Sequence, residues 1–284
     1  MAVKRFGIVG SGIMGSGVAE VAAKAGIEVI LRSRSQTSAD AMVAGLEKSL
    51  ARQVDKGRLD AAERDTLLGR VRAVTDLGEL ADCDLVLESV VEDLAVKKHL
   101  FGELDRICSP GAILATNTST LPVVEMAMET GRPEQVCGIH FFNPATAMPL
   151  VEVVRAITTS DETAAAATAF AEACGKNPVQ VRDQAGFIVN ALLFPYLNNA
   201  VKLLADEVAT RDDIDAAMKG GCNFPMGPLE LLDLVGLDTS LAILEALYAE
   251  FKDPNYAPAP MLKRMVSAER LGRKTRLGFY DYRK

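Results

Sequence analysis

Only two histidines occur among the 284 residues, and none of the five cysteines forms a CxxC pair. Because zinc sites in proteins are built from closely spaced cysteine and histidine ligands, this scarcity argues against one, and no other pattern calls for a metal. The scattered cysteines are expected to be reduced residues of the core or surface.

Long apolar runs and an excess of basic charge are also missing. No apolar stretch reaches the roughly 18 residues that a membrane span needs. No charged and then apolar leader with a cleavage site is found, so we expect a cytoplasmic protein without a membrane partner. The formal net charge of −7 argues against a nucleic-acid partner. The chain is 49% hydrophobic and 24% charged, as expected of an ordinary globular protein, and it is long enough for two domains.

A glycine-rich turn lies near the start of the chain, Gly10-Ser11-Gly12-Ile13-Met14-Gly15. It follows an apolar run and precedes good helix formers and a second apolar run, which is the context of a dinucleotide-binding turn. Gly10 would permit the tight turn, Gly12 would let a pyrophosphate approach the backbone, and Gly15 would let the helix lie close to the sheet. Free N–H groups at the helix N-terminus would bind the phosphates, although a plain tight turn gives the same local pattern.

Strand and helix patterns alternate over residues 1–182, whereas residues 183–284 show helical patterns alone. This order predicts an α/β domain with a mostly parallel sheet, followed by an all-helical domain. In the first domain, Ser38 is expected to cap a long helix. In the second, the helix near 188–205 is apolar beyond one face and must be covered, so we expect a homodimer through this domain.

Polar residues fall where predicted strands end, and ligands bind at the carboxyl ends of strands in open α/β sheets. Asn117 and Ser119 follow one strand, and His140 follows another. Glu152 lies inside the next apolar strand, where a carboxylate is costly without a partner, so we expect it beside His140. A histidine held by a carboxylate is a general base with a fixed tautomer. A structural hydrogen bond would have the same sequence pattern, and the residues alone leave both interpretations open.

The second predicted strand ends in Arg32-Ser33-Arg34-Ser35, where an NAD-binding fold places an acid for the ribose hydroxyls. Arginine can instead bind a 2′-phosphate with paired, charge-assisted hydrogen bonds, and serine can add another. We therefore expect NADP(H) rather than NAD(H), with Arg34 and Ser33 as the main contacts and Arg32 against the adenine. The alternative is an exposed basic turn in a protein that still uses NAD.

Several motifs together resemble those of the short-chain L-3-hydroxyacyl-CoA dehydrogenases. In chain order they are Asn117-Thr118-Ser119-Thr120-Leu121, His140-Phe141-Phe142-Asn143-Pro144, Gly186-Phe187-Ile188-Val189-Asn190, Pro225-Met226-Gly227-Pro228 and the segment from Gly272 to Tyr280. The similarity runs from end to end, and it implies a Rossmann-type domain followed by a helical dimerisation domain. One departure is Arg276, which stands where the family's tail usually has glycine.

The resemblance also implies roles for individual residues. His140 would be the acid/base, Glu152 would orient it, and Ser119 and Asn190 would hold the oxygen at the substrate's third carbon. The residues implied near the dinucleotide are Gly10, Gly12, Ile13, Met14, Gly15, Glu92, Lys97, Asn117, Ser119, Asn143 and Lys274. Ser49 and Lys56 would contact the coenzyme A part of the substrate. With Asn190 in the helical domain, the site is expected in the cleft between domains.

The expected reaction is hydride transfer between a nicotinamide cofactor and the third carbon of a short-chain 3-hydroxyacyl-CoA, such as acetoacetyl-CoA to (S)-3-hydroxybutyryl-CoA. Two other functions remain open. One is a relative that acts on a hydroxyacyl group on an acyl carrier protein, against which Ser49 and Lys56 favour free coenzyme A. The other is a non-catalytic nucleotide-binding relative, against which the intact set of Ser119, His140, Glu152 and Asn190 argues.

Overall fold

The computed structural model describes residues 3–283, which divide into two compact units between Asp183 and Gln184. The strands of the first unit are β1 (Arg5–Val9), β2 (Glu28–Arg32), β3 (Val71–Val74), β4 (Leu85–Glu88), β5 (Ile113–Thr116), β6 (Val136–Phe141), β7 (Leu150–Arg155) and β8 (Asn177–Arg182). Its helices are α1 (Ile13–Lys24), α2 (Gln36–Asp55), α3 (Ala61–Gly69), α4 (Leu94–Ile107), α5 (Val123–Ala127) and α6 (Asp161–Ala173). The predicted α/β class of the first unit is confirmed.

The eight strands form one sheet in the order β3-β2-β1-β4-β5-β6-β7-β8. Neighbouring strands are parallel except β6 and β7, which are antiparallel, so the predicted mostly parallel sheet is confirmed. Because parallel strands end at the same edge, the glycine turn after β1, the basic segment after β2 and the segment after β5 lie along one edge. The end of β6 and the start of β7 belong to that same edge.

The central strands are buried along their whole length, which explains their continuous apolar sequences. Small residues of α1, among them Ala19 and Ala22, are completely buried and let the helix lie close to the sheet. On the same core, the Phe6 ring packs against Phe170 with their centroids 4.6 Å apart. This packing fixes the positions of the strand ends that carry the polar residues.

Helix α2 begins earlier than the sequence suggested, because Ser35 rather than Ser38 is its cap. The Ser38 N–H donates to Ser35 Oγ and the Ser35 N–H donates to Ser38 Oγ, each over 3.2 Å. This reciprocal pair is a capping box, with Ser38 in the first turn of the helix. As a consequence, α2 begins directly after the basic segment that ends β2.

The second unit is helical, as predicted. Among its described residues, β-bridges occur only in the tail, where two isolated ones are found. Its helices are α7 (Val189–Ala205), α8 (Arg211–Cys222), α9 (Pro228–Val235), α10 (Leu237–Phe251) and α11 (Pro260–Ser267). Within residues 3–283, no helix is both long and apolar enough to cross a membrane.

Two buried aspartates organise the second unit. Asp215 accepts hydrogen bonds from the Leu229 and Glu230 N–H groups at the start of α9, over 2.8 and 3.0 Å. Asp233 accepts from the Phe279 and Tyr280 N–H groups of the tail, over 2.9 and 2.8 Å. These bonds satisfy backbone donors that would otherwise be buried without partners.

The tail keeps its turn despite the departure noted at Arg276. This residue has φ of 60° and ψ of 14°, in the left-handed region that glycine adopts without steric cost. A non-glycine residue in this region costs about 1–2 kcal/mol. Arginine in place of glycine therefore adds local backbone strain and leaves the fold of the tail unchanged.

Candidate active site

The glycine turn owes its shape to two of its three motif glycines. Gly10 has φ of 118°, and an added Cβ there would lie 2.3 Å from the Ser89 carbonyl oxygen. A Cβ on Gly15 would lie 1.9 Å from the Gly10 carbonyl oxygen, so the first turn of α1 can lie this close to the glycine turn only with glycine at this position. A Cβ on Gly12 would meet no atom within 4 Å, which leaves open space for a ligand to approach the backbone.

A groove of about 510 Å³ lies over this turn. Its lining includes six residues of the predicted dinucleotide set, namely Gly10, Gly12, Ile13, Met14, Arg34 and Asn117. Ser33 does not line it: this side chain is 1% exposed, and its Oγ has no hydrogen-bond partner within the described part of the chain. Ser38, in the first turn of α2, lines the groove instead.

The groove is basic where β2 ends. Arg32 and Arg34 both line it, but only Arg32 is anchored, by a 3.0 Å hydrogen bond from its Nε to the Thr75 carbonyl. Arg34 is exposed, and no carboxylate of residues 3–283 lies within 4 Å of its guanidinium. The Arg34 side chain can therefore turn toward an anion in the groove.

Ser119, His140 and Glu152 form a hydrogen-bonded chain. His140 and Glu152 are direct partners in the β6–β7 ladder, and His140 Nδ1 lies 2.8 Å from Glu152 Oε2. On the other side of the ring, Nε2 lies 3.0 Å from Ser119 Oγ. His140 is 4% exposed and Glu152 is completely buried, whereas Ser119 is half-buried. The expected pairing of His140 with Glu152 is therefore present.

This chain fixes the roles of the two ring nitrogens. An ionised carboxylate only accepts hydrogen bonds, so the Nδ1–H group donates the hydrogen bond to Glu152. In the neutral ring, Nε2 then accepts a hydrogen bond from the Ser119 hydroxyl. The Phe142 ring packs against the imidazole at 4.5 Å between centroids and restrains it from one side. The available site for proton exchange is therefore Nε2.

Lys97, which the resemblance implies near the dinucleotide, is a buried residue. Its side chain is completely buried, with Nζ 2.7 and 2.8 Å from the two carboxylate oxygens of Glu88 and 3.2 Å from Glu92 Oε2. The structure therefore does not bring Lys97 to the surface of the groove. Glu88 was missed from the sequence, although it is a carboxylate attached to an apolar strand, a weaker form of the signal that marked Glu152 inside β7.

The remaining candidates lie in varied surroundings. Asn143 is exposed in the segment after β6. Ser49 Oγ donates to the buried Glu20 carboxylate over 2.8 Å, and Lys56 is exposed at the C-terminal end of α2. In the second unit, Asn190 is buried in the first turn of α7, and Lys274 forms an ion pair with Asp238.

The fold and the groove define a dinucleotide-binding protein of the Rossmann type, with a histidine–carboxylate pair at the same sheet edge. Comparison with known proteins is more specific. The profile described as "3-hydroxyacyl-CoA dehydrogenase, NAD binding domain" matches residues 5–184, and that of the C-terminal domain of the same family matches residues 186–282. The chain therefore belongs to the 3-hydroxyacyl-CoA dehydrogenase family of oxidoreductases, as its motifs indicated.

Individual relatives are similar over the whole chain. A 3-hydroxybutyryl-CoA dehydrogenase of Mycobacterium tuberculosis is 47% identical over 283 residues, which cover 99% of both chains. The human mitochondrial hydroxyacyl-coenzyme A dehydrogenase is 39% identical, over 99% of this chain and 92% of its own. The crystal structure of (S)-3-hydroxybutyryl-CoA dehydrogenase from Ralstonia eutropha superposes with a TM-score of 0.97 at 40% identity, over 100% of both chains.

The glycine geometry predicts opposite outcomes for two alanine substitutions. Gly15→Ala forces a Cβ onto a backbone oxygen and should lower the free energy of unfolding by about 2 kcal/mol or more. Gly12→Ala should leave that free energy within about 1 kcal/mol of the parent. It should nevertheless weaken nicotinamide dinucleotide binding at least about tenfold, since the methyl group occupies the ligand's space. Urea denaturation and fluorescence titration measure the two effects, and undiminished binding by Gly12→Ala would contradict this account.

Proposed function

We propose that the protein transfers a hydride between NADP(H) and the third carbon of a short-chain 3-hydroxyacyl-CoA, reducing acetoacetyl-CoA to (S)-3-hydroxybutyryl-CoA. The observation that carries the proposal is the Ser119–His140–Glu152 chain at the sheet edge that also carries the dinucleotide groove. Relatives that are 44–47% identical over nearly the whole chain are described as 3-hydroxybutyryl-CoA dehydrogenases, which supports this substrate class.

The residues fit a nicotinamide dinucleotide, because the space over Gly12 is open and the N-terminus of α1 faces it. When bound, the nicotinamide supplies or accepts the hydride. During reduction, protonated His140 donates the Nε2 proton to the oxygen at the third carbon, and Ser119 Oγ stabilises the negative charge that develops there. Glu152 provides the counter-charge for the imidazolium. Asn190 is the proposed second hydrogen-bond donor to that oxygen.

Replacement of the proposed acid tests this mechanism. His140→Gln should lower kcat for acetoacetyl-CoA reduction at least about a hundredfold, because a positioned acid/base typically contributes that much. His99→Gln is the matched control, since His99 is the other histidine of the chain and its side chain is 76% exposed. Turnover is followed through the absorbance of the reduced nicotinamide. Near-parent kcat in a folded His140→Gln variant would exclude His140 as the acid.

The preference for NADPH is proposed from the basic end of the groove. Arg34 is exposed and lacks a carboxylate partner, and a guanidinium without one can bind a 2′-phosphate through two hydrogen bonds. Ser33 occupies the position where an acid would repel that phosphate, but its buried hydroxyl does not line the groove. Arg34 is therefore proposed as the main phosphate contact, with Ser38 beside it. NADPH use would suit a reductive, biosynthetic role.

Kinetics with both reduced cofactors test this preference. The parent should have the higher kcat/KM with NADPH, and Arg34→Gln should lower that value at least about tenfold, as expected for the loss of a charge-assisted contact. The same substitution should change kcat/KM with NADH less than about twofold, because NADH has no 2′-phosphate. Arg58→Gln, at an exposed arginine outside the groove, is the control. A parent that prefers NADH, or equal effects on both cofactors, would overturn the assignment.

We propose that Lys56 binds a phosphate of coenzyme A, since its ammonium is exposed and has no carboxylate within 4 Å among the described residues. The Ser49 hydroxyl already donates its one hydrogen bond to Glu20, so it can only accept a further hydrogen bond from the substrate. A larger rise in KM for acetoacetyl-CoA than for the cofactor in Lys56→Glu would support this contact, and equal rises would exclude it.

A homodimer through the helical unit is also proposed. This unit exposes several large apolar side chains, including Leu192 at 72% and Val208 at 67%. Leu192 and Leu203 both lie on α7, the helix whose sequence is apolar beyond one face, and such a helix is expected to be covered by a second copy. Light scattering that gives the mass of a single chain at micromolar concentration would contradict a dimer.

A further inference from the structure

A completely buried cation lies between two carboxylates in the first unit. Lys97 and Glu88 both have side-chain exposures of 0%, and Lys97 Nζ contacts both oxygens of Glu88 over 2.7 and 2.8 Å. The same ammonium lies 3.2 Å from Oε2 of Glu92, which is 40% exposed. Lysine is almost never fully buried unless it is paired, so these two carboxylates account for its position.

Each carboxylate in turn holds a segment at the edge of the sheet. Glu88 accepts the Val90 N–H over 2.6 Å and the Thr116 hydroxyl over 2.7 Å. Val90 lines the dinucleotide groove, and Thr116 ends the strand that leads to Ser119.

Glu92 acts closer to the candidate site. Its Oε1 accepts the backbone N–H of Ser119 over 3.0 Å and also the hydroxyl of Thr118. The carboxylate that holds the Ser119 backbone is therefore itself held, through Lys97, by the buried end of β4. No other cation among residues 3–283 lies within 4 Å of Glu92.

Stability alone gives little reason for this arrangement. Desolvation of a buried ion pair offsets much of the Coulomb attraction, and an apolar pair of similar volume is often as stable. An apolar pair could not fix the half-exposed Glu92 carboxylate. Without the lysine, water would compete with the Ser119 N–H for the oxygens of this carboxylate. Ser119 Oγ is only 3.0 Å from His140 Nε2, so a small displacement of its backbone would lengthen that bond.

We propose that Lys97, together with Glu88, is a positioning residue for Ser119. Through Glu92 it fixes the Ser119 backbone so that the serine hydroxyl reaches His140 Nε2. The importance of Lys97 for catalysis rests on the proposed dehydrogenase mechanism. The hydrogen bond between Ser119 Oγ and His140 Nε2 is measurable without turnover.

The imidazole nitrogen spectrum of the whole protein tests the proposal, because its two histidines give two sets of signals. Ser119→Ala defines the position of the His140 Nε2 signal without the serine hydrogen bond. Lys97→Met should move this signal toward that position. In the Ser119→Ala background, Lys97→Met should produce no further movement, since a residue that acts through Ser119 has nothing left to change. His99 lies two residues from Lys97 on α4, and its signal should stay in place in every variant.

An unmoved His140 signal in Lys97→Met, or an equal movement with and without Ser119, would overturn the proposal. If Lys97→Met does not fold or moves His99, Glu92→Gln replaces it in the same comparison. This variant keeps the Lys97–Glu88 pair and removes the charge through which Lys97 holds Glu92, and the same two results would overturn the proposal. Failure of the parent to reduce acetoacetyl-CoA would instead refute the proposed function, and the spectral test would still be decided.

Discussion

The antiparallel pairing of β6 with β7 is the constraint on which the candidate site depends. It sets His140 directly opposite Glu152, so a buried carboxylate meets a buried imidazole on one face of the sheet. A slip of one residue would place Val151 or Val153 opposite the histidine and leave Glu152 without this partner. An unpaired buried carboxylate is costly, so the pairing that satisfies Glu152 is also the pairing that orients the His140 imidazole.

The parallel part of the sheet supplies what this pair needs nearby. Strand ends bring the glycine turn, the basic segment after β2 and the Ser119 segment to the same edge as His140. Lys97 and Glu88, which are both completely buried, satisfy one another there. A site built on buried, hydrogen-bonded supports holds its geometry more closely than one built on free loops. The fold therefore brings the dinucleotide groove and the His140–Glu152 pair to one set of strand ends.

Features with strong local signals were predictable from the sequence. The glycine turn follows from backbone sterics, and the pairing of His140 with Glu152 follows from the cost of a carboxylate in an apolar strand. Features that depend on side-chain direction were not. Directly at and after the end of β2, Arg32 and Arg34 line the groove and Ser33 does not, although the sequence favoured Ser33 together with Arg34 as a main contact. Lys97 has the helical spacing of a buried residue, three and four positions before Leu100 and Phe101, but the sequence gives no local sign of the carboxylates that hold a lysine there.

The most direct measurement of the central claim is the rate of a single turnover of acetoacetyl-CoA reduction in Glu152→Gln. This substitution preserves shape and removes the charge that fixes the proton on Nδ1 and balances the imidazolium. The account predicts a rate at least about tenfold lower than that of the parent, a loss of about 1.4 kcal/mol in transition-state stabilisation, with an unchanged dissociation constant for the reduced cofactor. A folded Glu152→Gln variant with the parent's rate would show that the histidine–carboxylate pair is structural.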